Sequence, residues 1–348
     1  MAYKAFNPDF TCKGKQYEEN TTYEENGNEI CEAGVMHYCE NPFDVLDYYP
    51  LVNENGEISE FAEVEPLGKV FKRENKSATN KLHIKAKLGL KGFIKACIDF
   101  TLEKTKIEEI EDSIENDNGN NSAQIGSSGN YAQIGSSGDS AQIGSNGDSV
   151  QIGSSGYSVQ IGSSGNSAQI GSSGNYAKIG SSGNYAQIGS SGYSAQIGSS
   201  GNYAKIGSSG NSAQIGSSGN YAQIGSSGNY AQIGSSGYYA QIGSSGNSAQ
   251  IGSSGNYAQI GSSGDYAKIT SKGKHSVVMA AGYQSRAKAK KGSWITLAEW
   301  VRTDDEDEKG FCIWIPKCVK TEYVDGERIK EDTFYKLVDG EFKEVEEN

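Results

Sequence analysis

From Asn121 to Gly273 the chain repeats one nine-residue unit seventeen times without a gap, Asn-Tyr/Ser-Ala-Gln-Ile-Gly-Ser-Ser-Gly. A tandem array of so short a period is one small element stacked on itself, so the centre of the chain is expected to be a rod and not a globule. Within a unit the apolar residues stand two apart, as Ala123 and Ile125 do, with polar Ser122 and Gln124 beside them. A period of two is a strand with its Ala/Ile face buried and its Tyr/Ser and Gln face wet. Gly-Ser-Ser-Gly-Asn is read as the bend, because glycine reaches positive φ cheaply and asparagine tolerates it. Strand and turn in alternation make a β-solenoid. A flexible Gly/Ser linker would have no reason to return an isoleucine at every ninth residue, from Ile125 to Ile269.

The second position of the unit sets the coil. Counting from Asn121, units 8, 10, 12, 14 and 16 carry Tyr185, Tyr203, Tyr221, Tyr239 and Tyr257, whereas units 9, 11 and 15 carry Ser194, Ser212 and Ser248, with Tyr230 the exception. Two units, eighteen residues, therefore form one coil, and the five tyrosines should align in a ladder. At about 4.8 Å between coils the rod would be roughly 40 Å long. Single units bury too little to stand alone, so stacking must supply backbone, amide and aromatic ladders. Open solenoid ends invite polymerisation, which makes the two non-repetitive flanks the natural caps.

The expected organisation is an α/β N-terminal cap over 1–118, the nonapeptide solenoid over 119–292 and a β-rich C-terminal cap over 293–348. In the first, Lys15 to Tyr23 and Ile58 to Val64 alternate as strands do, and Asn41-Pro42-Phe43-Asp44 reads as a capped helix start. Leu90, Phe93, Ile94, Cys97, Ile98 and Leu102, then Ile107, Ile110 and Ile114, hold a helical period expected to form a lid on the first coil. In the last, Trp294 to Trp300 and Phe311 to Tyr323 read as strands. Asp325-Gly326 and Asp339-Gly340 read as hairpin turns, with Trp294, Trp300 and Trp314 plugging the final coil.

Charge and composition exclude several function classes. The net charge of −12 lies in the flanks, since the rod carries Lys178, Lys205, Lys268 and Lys272 against Asp139, Asp148 and Asp265. A near-neutral rod is a poor mimic of a phosphate backbone, and no nucleic-acid partner is expected. Calcium-binding nonapeptides place an Asp in every turn, which these units do not. The acidic run Asp304 to Glu308 lacks the spaced ligands of a calcium loop and reads as solvated. Cys31, His37 and Cys39 are the candidate metal ligands, but their spacing matches no paired zinc knuckle, so no metal or other cofactor is expected. No phosphate loop or nucleophile elbow is present, and the chain is read as non-catalytic. The cysteines are sparse and irregular, as free thiols are. No apolar leader follows Met1 and no stretch is long enough to span a membrane, so a cytoplasmic location is expected.

The flanks also carry a resemblance. Gly34-Val35-Met36-His37-Tyr38-Cys39-Glu40-Asn41-Pro42-Phe43-Asp44-Val45-Leu46-Asp47-Tyr48-Tyr49 resembles the Gly-Phe-His-x-Cys-x-Asn-Pro-x-Asp-Val-x-x-Tyr-Tyr signature of an uncharacterised family of phage and prophage repeat proteins, with Val35-Met36 where that family has Phe before His. Trp294 to Trp300 and Val324 to Lys330 are similar to its C-terminal module. The resemblance implies a phage or mobile-element origin and an infected or lysogenic bacterial host. Ala-Gln-Ile-Gly is also similar to the units of trimeric autotransporter β-rolls.

The functional expectation is a scaffold that presents a regular face to a protein partner or to a second copy. Its candidate residues are the ladder Tyr185, Tyr203, Tyr221, Tyr239 and Tyr257 and the amides Gln187, Gln223, Gln241 and Gln259 beside it. Tyrosine buries large area at low entropic cost and keeps a polar tip, which suits an interface. An inhibitor that sequesters a host-defence protein or small molecule and an ice-binding or adhesin-like surface are the alternatives.

Overall fold

A computed structural model describes residues 1–27, 29, 34–73, 76–104, 115–117, 122–306 and 308–346. Each unit contributes one four-residue strand, such as Gln124–Ser127 or Gln133–Ser136, and each strand pairs in parallel with the strand eighteen residues on, Ile125 opposite Ile143 and Ile134 opposite Ile152. The two-unit coil is thereby established. Odd-numbered units build one sheet and even-numbered units a second, so a single repeat sequence makes both walls of the rod.

Between the walls lie the third, fifth and seventh residues of every unit. Alanines such as Ala204 and isoleucines such as Ile215 are fully buried, and so are the seventh-position Ser181, Ser199 and Ser217. Those serines were not expected inside. Gly-Ser, assigned to the bend from sequence, is instead the second half of the strand, and the turn is confined to positions eight, nine, one and two.

Glycine's role in that turn also differs from expectation. The left-handed residue is the second of the unit, Tyr or Ser, with φ from +54° at Ser194 to +63° at Tyr131. That conformation costs a side-chain-bearing residue about 1–2 kcal/mol, which coil-to-coil bonding must offset. The ninth-position glycine serves close approach: a Cβ on Gly219 would lie 1.9 Å from the carbonyl oxygen of Gly201 in the coil below. The first-position asparagine closes the same turn across coils, as the Asn220 N–H donates to Asn202 Oδ1 at 2.8 Å. Asp takes the same role where it replaces Asn, Asp139 Oδ1 accepting from the Tyr157 N–H at 2.9 Å.

The solenoid continues past the perfect repeats. Val277–Ala280 and Arg286–Ala289 add to the two sheets in register, and Trp294 to Leu297 still pair in parallel with Val277 to Ala280. There the direction changes. Trp294–Glu306 pairs antiparallel with Cys312–Tyr323, and Tyr335–Val338 forms a hairpin with Glu341–Glu344 around Asp339-Gly340. Antiparallel strands end both sheets, as a cap must. Asp304 to Glu306 therefore belong to a strand and not to a loop. Asp325-Gly326 is a bend and not a hairpin, Asp325 Oδ1 accepting from the N–H groups of Glu327, Arg328 and Ile329. Nor do the tryptophans plug the coil. Phe334, Tyr335, Leu337 and Ile329 are buried there, whereas Trp294 and Trp314 are nearly half exposed and Trp300 is half-buried, its indole N–H donating to the Ala281 carbonyl at 2.9 Å.

The N-terminal domain holds a four-stranded antiparallel sheet in the order Ala2–Phe6, Glu60–Pro66, Lys81–Lys87, Thr21–Glu24, and a smaller sheet of Met36–Tyr38, Lys76–Thr79 and Val70–Arg73. The sequence-predicted strand from Lys15 to Tyr23 is in fact split, into Lys15–Gln16 and Thr21–Glu24. Asn41 caps the 3-10 helix Pro42–Asp47, its Oδ1 accepting from the Phe43 N–H at 3.1 Å. One α-helix, Gly89–Lys104, carries the first part of the helical period; Ile107, Ile110 and Ile114 lie outside the described residues.

This helix is not a lid on the first coil. It lies along the odd sheet, across strands from Gln142–Ser145 to Gln214–Ser217, and on its other side Phe93 stacks on Phe61 at 3.8 Å. The reason is in the sixth position of the repeat. Glycine there leaves a bare furrow down the sheet, and Ile98, Ile94, Leu51, Leu90 and Ile58 fill it over Gly180, Gly198, Gly216, Gly234 and Gly252. Fourth-position side chains and one eighth-position lysine, Lys272, complete the contact. Lys178 Nζ pairs with Asp44 at 2.5 Å, the Leu51 N–H donates to Gln214 Oε1 at 3.3 Å, and Lys272 Nζ meets Glu57 at 3.2 Å. The domain thus covers one wall of the rod.

Candidate interaction face

With the odd sheet covered, the even sheet is the long face that no other part of the described chain covers. Its outward residues are fixed by strand alternation: position four is Gln, position six Gly and position eight Ser, with position two in the adjoining turn. A shallow trough runs the length of this sheet, lined by Gln187, Gln223, Gln241 and Gln259 among others and floored by Gly189, Gly207 and Gly225. At Gly207 and Gly225 an added Cβ would meet nothing within 4 Å. Lys205 is the charged side chain of the trough, standing in the glutamine row.

The five tyrosines form a continuous stack along the trough's edge. Rings of Tyr185, Tyr203, Tyr221, Tyr239 and Tyr257 follow one another at 5.0 to 5.1 Å and within 9° of parallel. Their uniform left-handed backbone points each ring the same way, and each remains 42 to 57 % exposed. His275 adds a sixth ring at 5.4 Å from Tyr257. It occupies the second position of the unit beginning at Lys274, so the repeat register alone could have found it. The opposite edge is irregular, Tyr157, Tyr176 and Tyr193 meeting at tilted or edge-on angles.

Sequence reasoning therefore placed Tyr and Gln on one surface, but missed the glycine trough beside the glutamine row. At the C-terminal end the trough changes character: Val277, Met279 and Trp294 take the Gln, Gly and Gln positions and form an exposed apolar cluster.

Of the three metal candidates, the described residues include His37 and Cys39. Cys31 lies outside the described residues; Cys39 is buried and His37 half-buried on the neighbouring stretch of backbone, and among the described residues no group of three His, Cys, Asp or Glu could hold a metal. Burial pushes the Cys39 thiol up to about 12, so it is protonated at neutral pH. A second cavity of the N-terminal domain borders these residues, lined by Lys4, Cys12, Tyr17 and Tyr49. Lys4 Nζ is buried there and donates to the His37 carbonyl at 3.0 Å, while desolvation lowers its pKa. Tyr49 Oη donates to Cys12 Sγ at 3.1 Å, so these groups satisfy one another.

An alkaline titration follows from the same burial. Desolvation raises Cys39 from 9.0 and Tyr3 from 10.0, each to about 12. A pKa raised on folding contributes stability that is complete below the unfolded value and is lost as pH rises toward the folded one. The N-terminal domain is therefore expected to destabilise between pH 9 and 12, ahead of the rod, whose interior carries Ala, Ile and Ser. Amide exchange followed across that range should show residues 1–104 opening first; simultaneous opening of the even strands would contradict it.

The chain is thus a β-solenoid repeat protein with a lateral N-terminal domain. Residues 1–96 match the model of a family described as a domain of unknown function, DUF7666. No curated protein and no solved structure matches the chain. Among the described residues, no helix is long and apolar enough to cross a membrane.

Proposed function

We propose that this protein is a non-catalytic interaction scaffold and that its even sheet, with the tyrosine ladder and glutamine row, is the docking surface. One observation carries the reading. The same repeat makes two walls, and the chain's own domain docks on one of them by filling the sixth-position furrow and bonding to fourth-position side chains. The other wall offers the same furrow and the same amides uncovered. Phage or prophage carriage in a bacterial cytoplasm is the setting that the resemblance of the flanks supports.

The test is to replace Tyr185, Tyr203, Tyr221, Tyr239 and Tyr257 together by serine, the residue that units 9, 11 and 15 already carry at this position. The rod should stay folded by circular dichroism, with a moderate loss of stability, because cross-strand aromatic pairs are worth roughly 0.2–1 kcal/mol each. Proteins captured from a host lysate by the wild type, a second copy of this chain included, should be lost. Retained capture would sink the docking role. Loss of folding would make the ladder a stability device.

A further inference from the structure

We infer that the occupant of the open face is a second copy of this chain, paired face to face with the two rods parallel and related by a twofold axis along the rod. The inference rests on the even sheet being the docking surface and adds what docks there. Across that sheet the outward rows run large, large, small, small: Tyr at position two, Gln at four, Gly at six and Ser at eight. A twofold axis along the rod reverses this order on the facing copy. Every Gln row then lies over the partner's bare Gly row, and every Tyr row over a Ser row.

The covered wall already shows that the furrow accepts side chains, since Ile94 and Leu51 occupy it over Gly216. A twofold axis across the rod would instead set Gln on Gln and leave glycine facing glycine over a void. In the parallel pair the exposed cluster at the C-terminal end is also covered, Val277 facing the second copy's Met279 at the same level. From Gln133 to Val277 the face is about 40 Å long and about 20 Å wide, which gives roughly 800 Å² per copy, the size of a standard stable interface. Among the described residues, the even wall is also the one wall left for a partner. Each rod has its odd wall under the N-terminal domain and its C-terminal end closed by antiparallel strands.

Full-length protein should therefore show twice the 37.1 kDa chain mass by native mass spectrometry and light scattering at micromolar concentration. Gly207→Arg and Gly225→Arg, each placed in open space with ordinary strand backbone, should weaken the pair at least tenfold and leave the melting curve of the monomer unchanged. A mixture of Gln223→Cys and Gly225→Cys chains should be joined by a short bis-maleimide at those two residues, identified as the linked peptide. A monomeric wild type would overturn the second-copy inference while leaving lysate capture by the same face as the separate test of docking. A dimer indifferent to both arginines would overturn the choice of face. Linkage of Gln187→Cys to Gln223→Cys in place of the expected pair would overturn the parallel arrangement.

Discussion

Replacing Gly219 by alanine is expected to destabilise the rod by about 3 kcal/mol or more, whereas the same change at Gly225, six residues on, should cost nothing and can stabilise by up to about 1 kcal/mol. The two glycines belong to successive units and read alike in sequence. In the structure a Cβ on Gly219 strikes the Gly201 carbonyl oxygen at 1.9 Å, backbone that cannot yield without separating two coils. Separation breaks the turn bonding at that level, including the Asn220 N–H to Asn202 Oδ1 bond. Because each coil is held by its neighbours, one opened interface exposes two new ends. At Gly225 nothing lies within 4 Å and the backbone is that of a strand, so alanine only restricts the unfolded chain. Denaturant melts of the two variants decide the matter. Equal costs, or a larger cost at Gly225, would contradict the assignment of turn and furrow.

The second large effect is expected at Gly216, on the covered wall. A Cβ there lies 3.2 Å from Ile94 Cδ1 and 3.6 Å from Leu51 Cδ2, so Gly216→Arg must drive the N-terminal domain off the sheet. Each apolar side chain lifted into water forfeits about 1.5–3 kcal/mol, and Ile94, Leu51, Leu90 and Ile58 share this furrow. The amides of Leu51 and Val52, which donate to Gln214 and Gln232, should lose their protection from exchange by at least a hundredfold. Lys178 and Asp44 should separate with them. Gly225→Arg, the matching change on the open wall, should leave those amides protected. If both variants behaved alike, the domain would not be seated where its contacts place it.

Much of this architecture was legible in the repeat. Isoleucine at every fifth position and the alternation of Tyr and Ser at the second gave the strand, the eighteen-residue coil and the ladder, because burial and stacking act on those side chains directly. What stayed hidden depends on backbone position. Nothing in Gly-Ser-Ser-Gly says which glycine is turned toward a carbonyl and which floors a furrow, since a missing side chain leaves no pattern to read. The buried serines escaped for a related reason: a hydroxyl small enough to fit between stacked coils has the same polarity as one that faces water.

The seat of the helix Gly89–Lys104 along the odd sheet was not legible, because apolar Leu90, Ile94 and Ile98 declare that it covers something without saying what, and a capped end is the commoner need of a solenoid. The contact is specified by Asp44, Glu57 and Leu51, residues whose partners on the rod lie more than a hundred positions away and carry no local signal. Lys178, Lys268 and Lys272 could have hinted at it. All three fall in odd-numbered units, whose sheet is the one that meets the acidic N-terminal domain.

Zero-length carbodiimide coupling of the wild-type protein tests the central claim, one wall covered and one wall open, most directly. Lys178 should be joined to Asp44 and Lys272 to Glu57, the pairs that stand 2.5 and 3.2 Å apart, while Lys205, in the trough of the even sheet, should be joined to no acid of residues 1–104. Coupling of those acids to Lys205, or their failure to couple to Lys178 and Lys272, would show that the N-terminal domain does not cover the odd wall and that the open face has been wrongly assigned.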